Sequence, residues 1–396
     1  MSVDLVRGLD VLLMLFVNEM AGVTGTPAFL RHVGPQVDGM TLTDVVFPAF
    51  LFITGMSIPL ALGARLGAGE PRAEVVGHIL IRSLSLIAIG VLMVNAEDGN
   101  APGLLSPDAW NALMTVAVLL VWQAPTARFG RWRPAMIAVG TASLVGLAFL
   151  FRSTEAAGIM QLRPRWWGIL GLIGWAYLVA SLVYLATGNR PLRLVIATCL
   201  LYGLFFADAF GLIGRVRSLD AGSTLGSHAA LVVSGAVITA LMARNRERGG
   251  APAAFGWYAI GYGALLIAAG WIVHQFRDLD HAFWISKSHA TPAWCLISGG
   301  ITCIAWAILY ELVDVKGWRR WPAVVTTAGQ MALLAYLLAP LLLSVFAMSA
   351  ALTGGVNVYG ALGDHLAIGT IRSALFAWLV VWLCGRMRAI GIEPRL

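Results

Sequence analysis

Polar and apolar positions along this chain come in blocks. Apolar runs of roughly 18 to 24 residues recur from end to end, and each is long enough to cross about 30 Å of hydrocarbon at 1.5 Å per residue. The pattern predicts spans near residues 9–27, 42–63, 75–94, 110–124, 134–151, 167–187, 191–213, 226–243, 255–274, 291–311, 323–347 and 366–386. The fourth is short, so the expected architecture is all-α: a polytopic transmembrane helical bundle of about 10–12 spanning helices. No connector is long enough to fold by itself and no internal repeat is evident, so a single integral-membrane domain over residues 1–396 is expected.

Composition agrees with the blocks. Of the 396 residues, 59% are hydrophobic and only 12% charged, about half the charge of a soluble globular protein. The net charge of +7 does not require nucleic acid, because Lys and Arg collect in the cytoplasmic connectors of membrane proteins. With the N-terminus inside, the inner segments hold 17 of the 27 basic residues, the outer ones nine, and Arg82 lies within a span. That bias predicts both termini in the cytoplasm. The first span is longer than a signal-peptide core and no small-residue cleavage pattern follows it, so a cleaved leader is not expected. Cys199, Cys295, Cys303 and Cys384 all fall inside apolar runs without metal-ligand spacing, which suits small packing residues.

Ionisable and amide groups at membrane depth are expensive, and each is a candidate for function. In "RGLDVLLMLFVNEM" the spacing of Arg7, Asp10, Met14 and Asn18 puts them on one helix face. Asn18 there is either a hydrogen-bonding link between helices or part of a site. The next connector, "LRHVGPQVDGMTLTDVVFP", carries His32, Asp38 and Asp44. Thr41 followed by Asp44 three residues later reads as a variant capping box at a helix start, and Asp38 beside Gly39 reads as a turn residue. His32 carries an imidazole, the usual type of general base for an amine or hydroxyl near pH 7. A second polar cluster, "DLDHAFWISKSHATP", brings Asp278, Asp280, His281, Lys287 and His289 into one outer loop. It is either a solvated loop or the lid of an acceptor site, and its histidine spacing is not that of a zinc centre. Asp208, His228, His274, Glu311, Gln330, Asp364 and His365 are expected to be mostly interfacial or satisfied by neighbours.

Two blocks of residues carry a resemblance. "SVDLVRGLDVLLMLFVN" followed by "H…DGMTLTDVVFPAFLFITGMSIPLAL" resembles the start of the heparan-α-glucosaminide N-acetyltransferase family and its bacterial relatives. The shared positions are Ser2, Asp4, Arg7, Gly8, Val17, Asn18, His32, Gly39, Thr41, Asp44, Phe47 and Pro48. The second block, "SKSHATPAWCLISGGITCIAWAILYELVDVKGWRRW", is similar to the family's Asn-Lys-x-x-Trp-Thr-Pro-Ser segment and its "DVKG" turn. Ser286, Ala290 and Ala293 stand where that segment has Asn, Trp and Ser.

The resemblance implies an acetyl-CoA-dependent membrane acyltransferase of the bacterial cytoplasmic (inner) membrane, with a sugar or glycan acceptor on the far side and a homodimer as the expected assembly. It gives His32 and Asn18 as the essential pair. Asp44 would orient the imidazole, as a carboxylate beside a catalytic base does. Arg7, Asp10 and Arg82 become candidates for the CoA site, because arginine forks suit phosphates. Lys287 and His289 become candidates for the acceptor, and no metal is implied. N- and O-acetylation stay open, as do an acetyl-histidine intermediate and direct transfer. The reading from another class is a secondary transporter of a small polar or anionic solute, which the spans and the intramembrane Asp10 and Asn18 would also suit.

Overall fold

Fourteen α-helices follow one another along the described chain: α1 (Ser2–Met20), α2 (Leu42–Gly67), α3 (Arg72–Asp98), α4 (Pro107–Val121), α5 (Arg133–Leu150), α6 (Ile169–Thr187), α7 (Pro191–Ala209), α8 (His228–Glu247), α9 (Pro252–His274), α10 (Pro292–Tyr310), α11 (Ala323–Gln330), α12 (Ala332–Leu352), α13 (Val358–Ala361) and α14 (Leu366–Ala389). The structure is a computed structural model that describes residues 1–98, 101, 103–154, 161–213, 220–318, 323–352, 354 and 357–396. Arg215, Arg217, Arg319 and Arg320, part of the charge bias above, lie outside the described residues. Among the described residues, ten helical segments are long and apolar enough to cross a membrane, so the protein is a polytopic, multi-pass helical membrane protein.

Two expected spans take a different form. The first was placed near 9–27, but α1 starts at Ser2 and stops at Met20, where Gly22, Gly25 and Pro27 follow. It holds Asp4, Arg7, Asp10 and Glu19, too many charges for the ten apolar segments to include it. The eleventh span divides at Met331, just after Gly329, into α11 and α12. α4 is apolar but has only 15 residues.

By internal packing the chain forms two compact units. One comprises Met1–Asp10, Ala28–Leu84 and Leu172–Pro322; the other comprises Val11–Pro27, Ser85–Gly171 and Ala323–Leu396. In the first unit α2 and α8 pack backbone to backbone. A Cβ on Gly55 would lie 1.8 Å from the Val232 carbonyl oxygen, and one on Gly235 would lie 2.0 Å from that of Phe52. Small residues allow this approach, and in a bilayer close packing and interhelical hydrogen bonds replace the hydrophobic drive. Thr239 Oγ1 donates across the same seam to the Met56 carbonyl at 2.9 Å. α9 and α10 meet similarly at Gly263 and Gly300. At the end of α10, Trp306 Nε1 donates to Ser2 Oγ at 3.1 Å and Asp314 accepts the Ser2 N–H at 3.2 Å.

The second unit is built on α4, α5, α12 and α14 with the last part of α1. Trp110, fully buried, donates its indole N–H to the Leu147 carbonyl at 2.8 Å. Asn111 donates to Ser344 Oγ at 3.0 Å, joining α4 to α12. Arg372 is buried on α14 and donates to the carbonyls of Tyr359 (3.0 Å) and Glu19 (3.1 Å). Its guanidinium lies 4.7 Å from the Tyr359 ring centre, and the Tyr359 hydroxyl donates to the Glu19 carboxylate. Glu19 is thus part of a buried polar cluster with Arg372 and Tyr359.

Candidate active site

The start of α2 is shaped by the sequence around Thr41 and Asp44. Asp44 Oδ2 accepts the Thr41 backbone N–H at 3.0 Å, the capping-box bond expected from the sequence. It also accepts the Val33 N–H at 3.2 Å and lies 3.1 Å from Thr41 Oγ1. Thr41 Oγ1 also reaches the Arg31 carbonyl oxygen at 2.7 Å. These bonds fold the connector back over the helix start and bring His32 beside the same carboxylate. His32 Nδ1 lies 2.7 Å from Asp44 Oδ1. The Asp44 side chain is 1% exposed and that of His32 47% exposed. A carboxylate on Nδ1 holds that nitrogen's proton and leaves the lone pair on Nε2, the arrangement of an oriented imidazole base.

Lys287 completes the constellation. Its Nζ lies 3.1 Å from His32 Nδ1 and 3.2 Å from Nε2. Near-equal reach to both nitrogens places the ammonium over the face of the ring, because in the ring plane it would collide with Cε1. Burial lowers the Lys287 pKa from the ordinary lysine value, while the Asp44 charge pulls it back up. The turn that presents the lysine closes on itself: the Ala290 N–H donates to the Lys287 carbonyl at 3.0 Å. Ala290 has φ +48°, a left-handed conformation that a Cβ makes unfavourable by about 1–2 kcal/mol. Its carbonyl receives Ser227 Oγ at 2.5 Å. Pro292 opens α10, and Trp294 in its first turn donates its indole N–H to the Asp44 carbonyl at 3.0 Å. α2 and α10 therefore begin at the same end of this unit, and their N-terminal dipoles favour negative charge there.

The same connector makes a second carboxylate–histidine pair. His274 Nε2, at the end of α9, lies 2.8 Å from Asp38 Oδ2. The Ile285 N–H donates to Asp38 Oδ1 at 2.8 Å, and the Gly39 N–H donates to the Ile285 carbonyl at 2.9 Å. The reading of Asp38 as a simple turn residue is thereby corrected. Proximity in sequence to Gly39 suggested a turn, but the carboxylate's partners are 236 and 247 residues away.

The chain is similar to heparan-alpha-glucosaminide N-acetyltransferases. It is 37% identical over 117 residues to the protein of that name from Mus musculus, and 36% identical over 118 residues to that from Homo sapiens. Each match takes in 30% of this chain and 16% of the relative, so the chain matches about a sixth of the relatives' length. No family model matches the chain.

The other sequence candidates fall as follows. Within the first unit Arg7 donates to Asp4 Oδ1 at 3.0 Å and to Ser57 Oγ at 2.5 Å. Ser57 lies thirteen residues beyond Asp44 along α2, about 20 Å at 1.5 Å per residue. Arg82 is exposed and stacks over Tyr177, 4.9 Å from the ring centre. Asp10 is buried on α1. His289 shares the Lys287 turn but meets Ser286 Oγ at 3.0 Å through Nδ1. Asn18 belongs to the second unit and is exposed there. Thus His32 touches both Asp44 and Lys287, while Arg7, Asp10 and Arg82 do not join them. Among the described residues no group of His, Cys, Asp and Glu could hold a metal ion. Sequence reasoning missed Asp38, His274, Trp294 and Ala290 as neighbours of the site. Only the Asp and His types hinted at it, and no spacing pairs them.

Proposed function

We propose that the protein is a membrane acyltransferase that moves an acetyl group from cytoplasmic acetyl-CoA to an amino or hydroxyl group of a sugar on the other side, with His32 as general base. The observation that carries this reading is His32, fixed through Nδ1 on Asp44, with Nε2 unspent on the carboxylate and 3.2 Å from Lys287 Nζ. The partial identity to the two acetyltransferases supports the reaction class.

In the proposed step, His32 Nε2 removes the proton from the acceptor as its nitrogen or oxygen attacks the thioester carbon. The carbon–sulfur bond breaks, and CoA leaves as a thiolate that takes up a proton. Asp44 steadies the imidazolium while it exists. The Lys287 ammonium over the ring opposes that same charge and hastens release of the proton to the leaving thiolate. Arg7 and Arg82 are the guanidinium groups assigned to the CoA phosphates. A donor arm that reaches from Arg7 to His32 must span about 20 Å of helix. The resemblance alone gives Asn18 its part, donating its amide to the thioester oxygen as negative charge builds there.

The test is acetyl transfer from labelled acetyl-CoA to glucosamine by the purified protein. His32→Ala is expected to lose about 10²–10⁴-fold in rate, the usual weight of a general base, and Asn18→Ala to lose rate as well. Equal rates in wild type and His32→Ala would overturn the assignment.

A further inference from the structure

The Asp38–His274 pair has no part in the chemistry just described, yet it is tied to it through two residues. Asp38 binds in two directions. Oδ2 takes the His274 ring at the end of α9, and Oδ1 takes the Ile285 N–H, each at 2.8 Å. Gly39 adds the return bond to the Ile285 carbonyl at 2.9 Å. Two residues beyond Ile285, Lys287 reaches the His32 ring. The pair therefore fixes the distance between the connector that carries His32 and the turn that carries Lys287.

The His274 side chain is 7% exposed, and its Nδ1 is buried without a hydrogen-bond partner. The Trp271 ring stands edge-on to it with centres 5.4 Å apart. An apolar side chain would fill that space without leaving a buried nitrogen unpaired. What the imidazole adds is its bond to Asp38.

We infer that Asp38 and His274 are positioning residues, which hold the Ile285–Ala290 turn so that Lys287 stands over the face of His32. The inference rests on the acyltransfer reading of His32 for its effect on rate, but not for its geometry. The groups facing the Lys287 ammonium are His32 from the connector and Asp44 from α2. On its own turn, Ser286 and His289 pair with each other.

The chain has two lysines, Lys287 and Lys316, which makes a direct readout available. In a Lys316→Arg background, an amine-reactive acetyl ester labels Lys287 over a series of pH values, and the labelled peptide is quantified by mass spectrometry. With the turn in place, burial makes Lys287 react at lower pH than a free lysine. Asp38→Ala is expected to move that profile up toward ordinary lysine behaviour. It should also lower kcat by about 10- to 100-fold, as misplacement by an ångström does, with the KM for acetyl-CoA unchanged. Asp38→Asn keeps an oxygen for the Ile285 N–H and should restore most of both. A merely structural pair would lower the melting temperature but leave the profile and the kcat of the folded protein as in wild type, and that result overturns the inference. Should wild type transfer no acetyl group, the labelling profile decides alone. A shift in Asp38→Ala then upholds the positioning while the acyltransfer reading fails, and no shift refutes it. Where Asp38→Ala does not fold, His274→Gln is measured in its place: a raised labelling profile with lowered kcat supports the positioning, and a wild-type profile and kcat refute it.

Discussion

One connector and the turn into α2 supply the carboxylates of two carboxylate–histidine pairs, His32–Asp44 and His274–Asp38, of nearly equal length at 2.7 and 2.8 Å. They differ in which ring nitrogen is spent and in what the other one faces. His32 gives Nδ1 to its carboxylate, and Nε2 of its half-exposed ring has no carboxylate and stands 3.2 Å from Lys287 Nζ. His274 gives Nε2, and its Nδ1 is sealed in the interior without a partner. Only the first pair also has an ammonium over the ring. The same two side-chain types thus make a proton-transfer site in one place and a clasp in the other. Access to the second nitrogen separates the roles.

One substitution made in both pairs tests that contrast most severely. Asp44→Asn can donate its amide to Nδ1 and force the His32 proton onto Nε2, so a rate loss of about 10²–10⁴-fold is expected. Asp38→Asn should retain most of the wild-type rate. Steady-state acetyl transfer by the two variants checks this, and equal losses would erase the distinction between them.

The next largest effect concerns pH. Burial depresses the Lys287 pKa, so the ammonium over His32 disappears as pH rises through a value below that of a free lysine. Activity should fall on the alkaline side in that window. Lys287→Arg keeps its charge throughout and should lose that alkaline fall, although its overall rate drops because the longer fork cannot occupy the same position. A rate profile between neutral and strongly alkaline pH reads this. The smallest effect is on stability. His274→Phe leaves Asp38 Oδ2 without its partner and should destabilise the protein by about 1–3 kcal/mol, measured as a lower thermal midpoint in detergent.

Part of the site was legible because it is local. Thr41 and Asp44 lie three residues apart, and a capping box follows from that spacing; His32 lies close enough along the chain to be read with them. Lys287 could be singled out only through the resemblance, since it is 255 residues from His32. Asp38 was misjudged for the same reason. Its short-range setting says turn, whereas its bonds go to residues 236 and 247 positions away. Asp10 and Asn18 stood out as polar groups in an apolar helix. Periodicity placed them on one face, but it could not show that one is buried and the other exposed.

By itself the sequence determined the helical, membrane-crossing character of the chain. The length and apolarity of each run settle that, since a backbone in hydrocarbon must satisfy its own hydrogen bonds. It also determined the start of α2 and the chemical types available at its polar end. The tertiary structure alone decided that α2 and α10 begin side by side, that Lys287 covers one histidine while Asp38 seals another, and that Ala290 takes a left-handed turn between them. Those features depend on packing between segments far apart in the chain, and no local pattern encodes which distant residue will arrive.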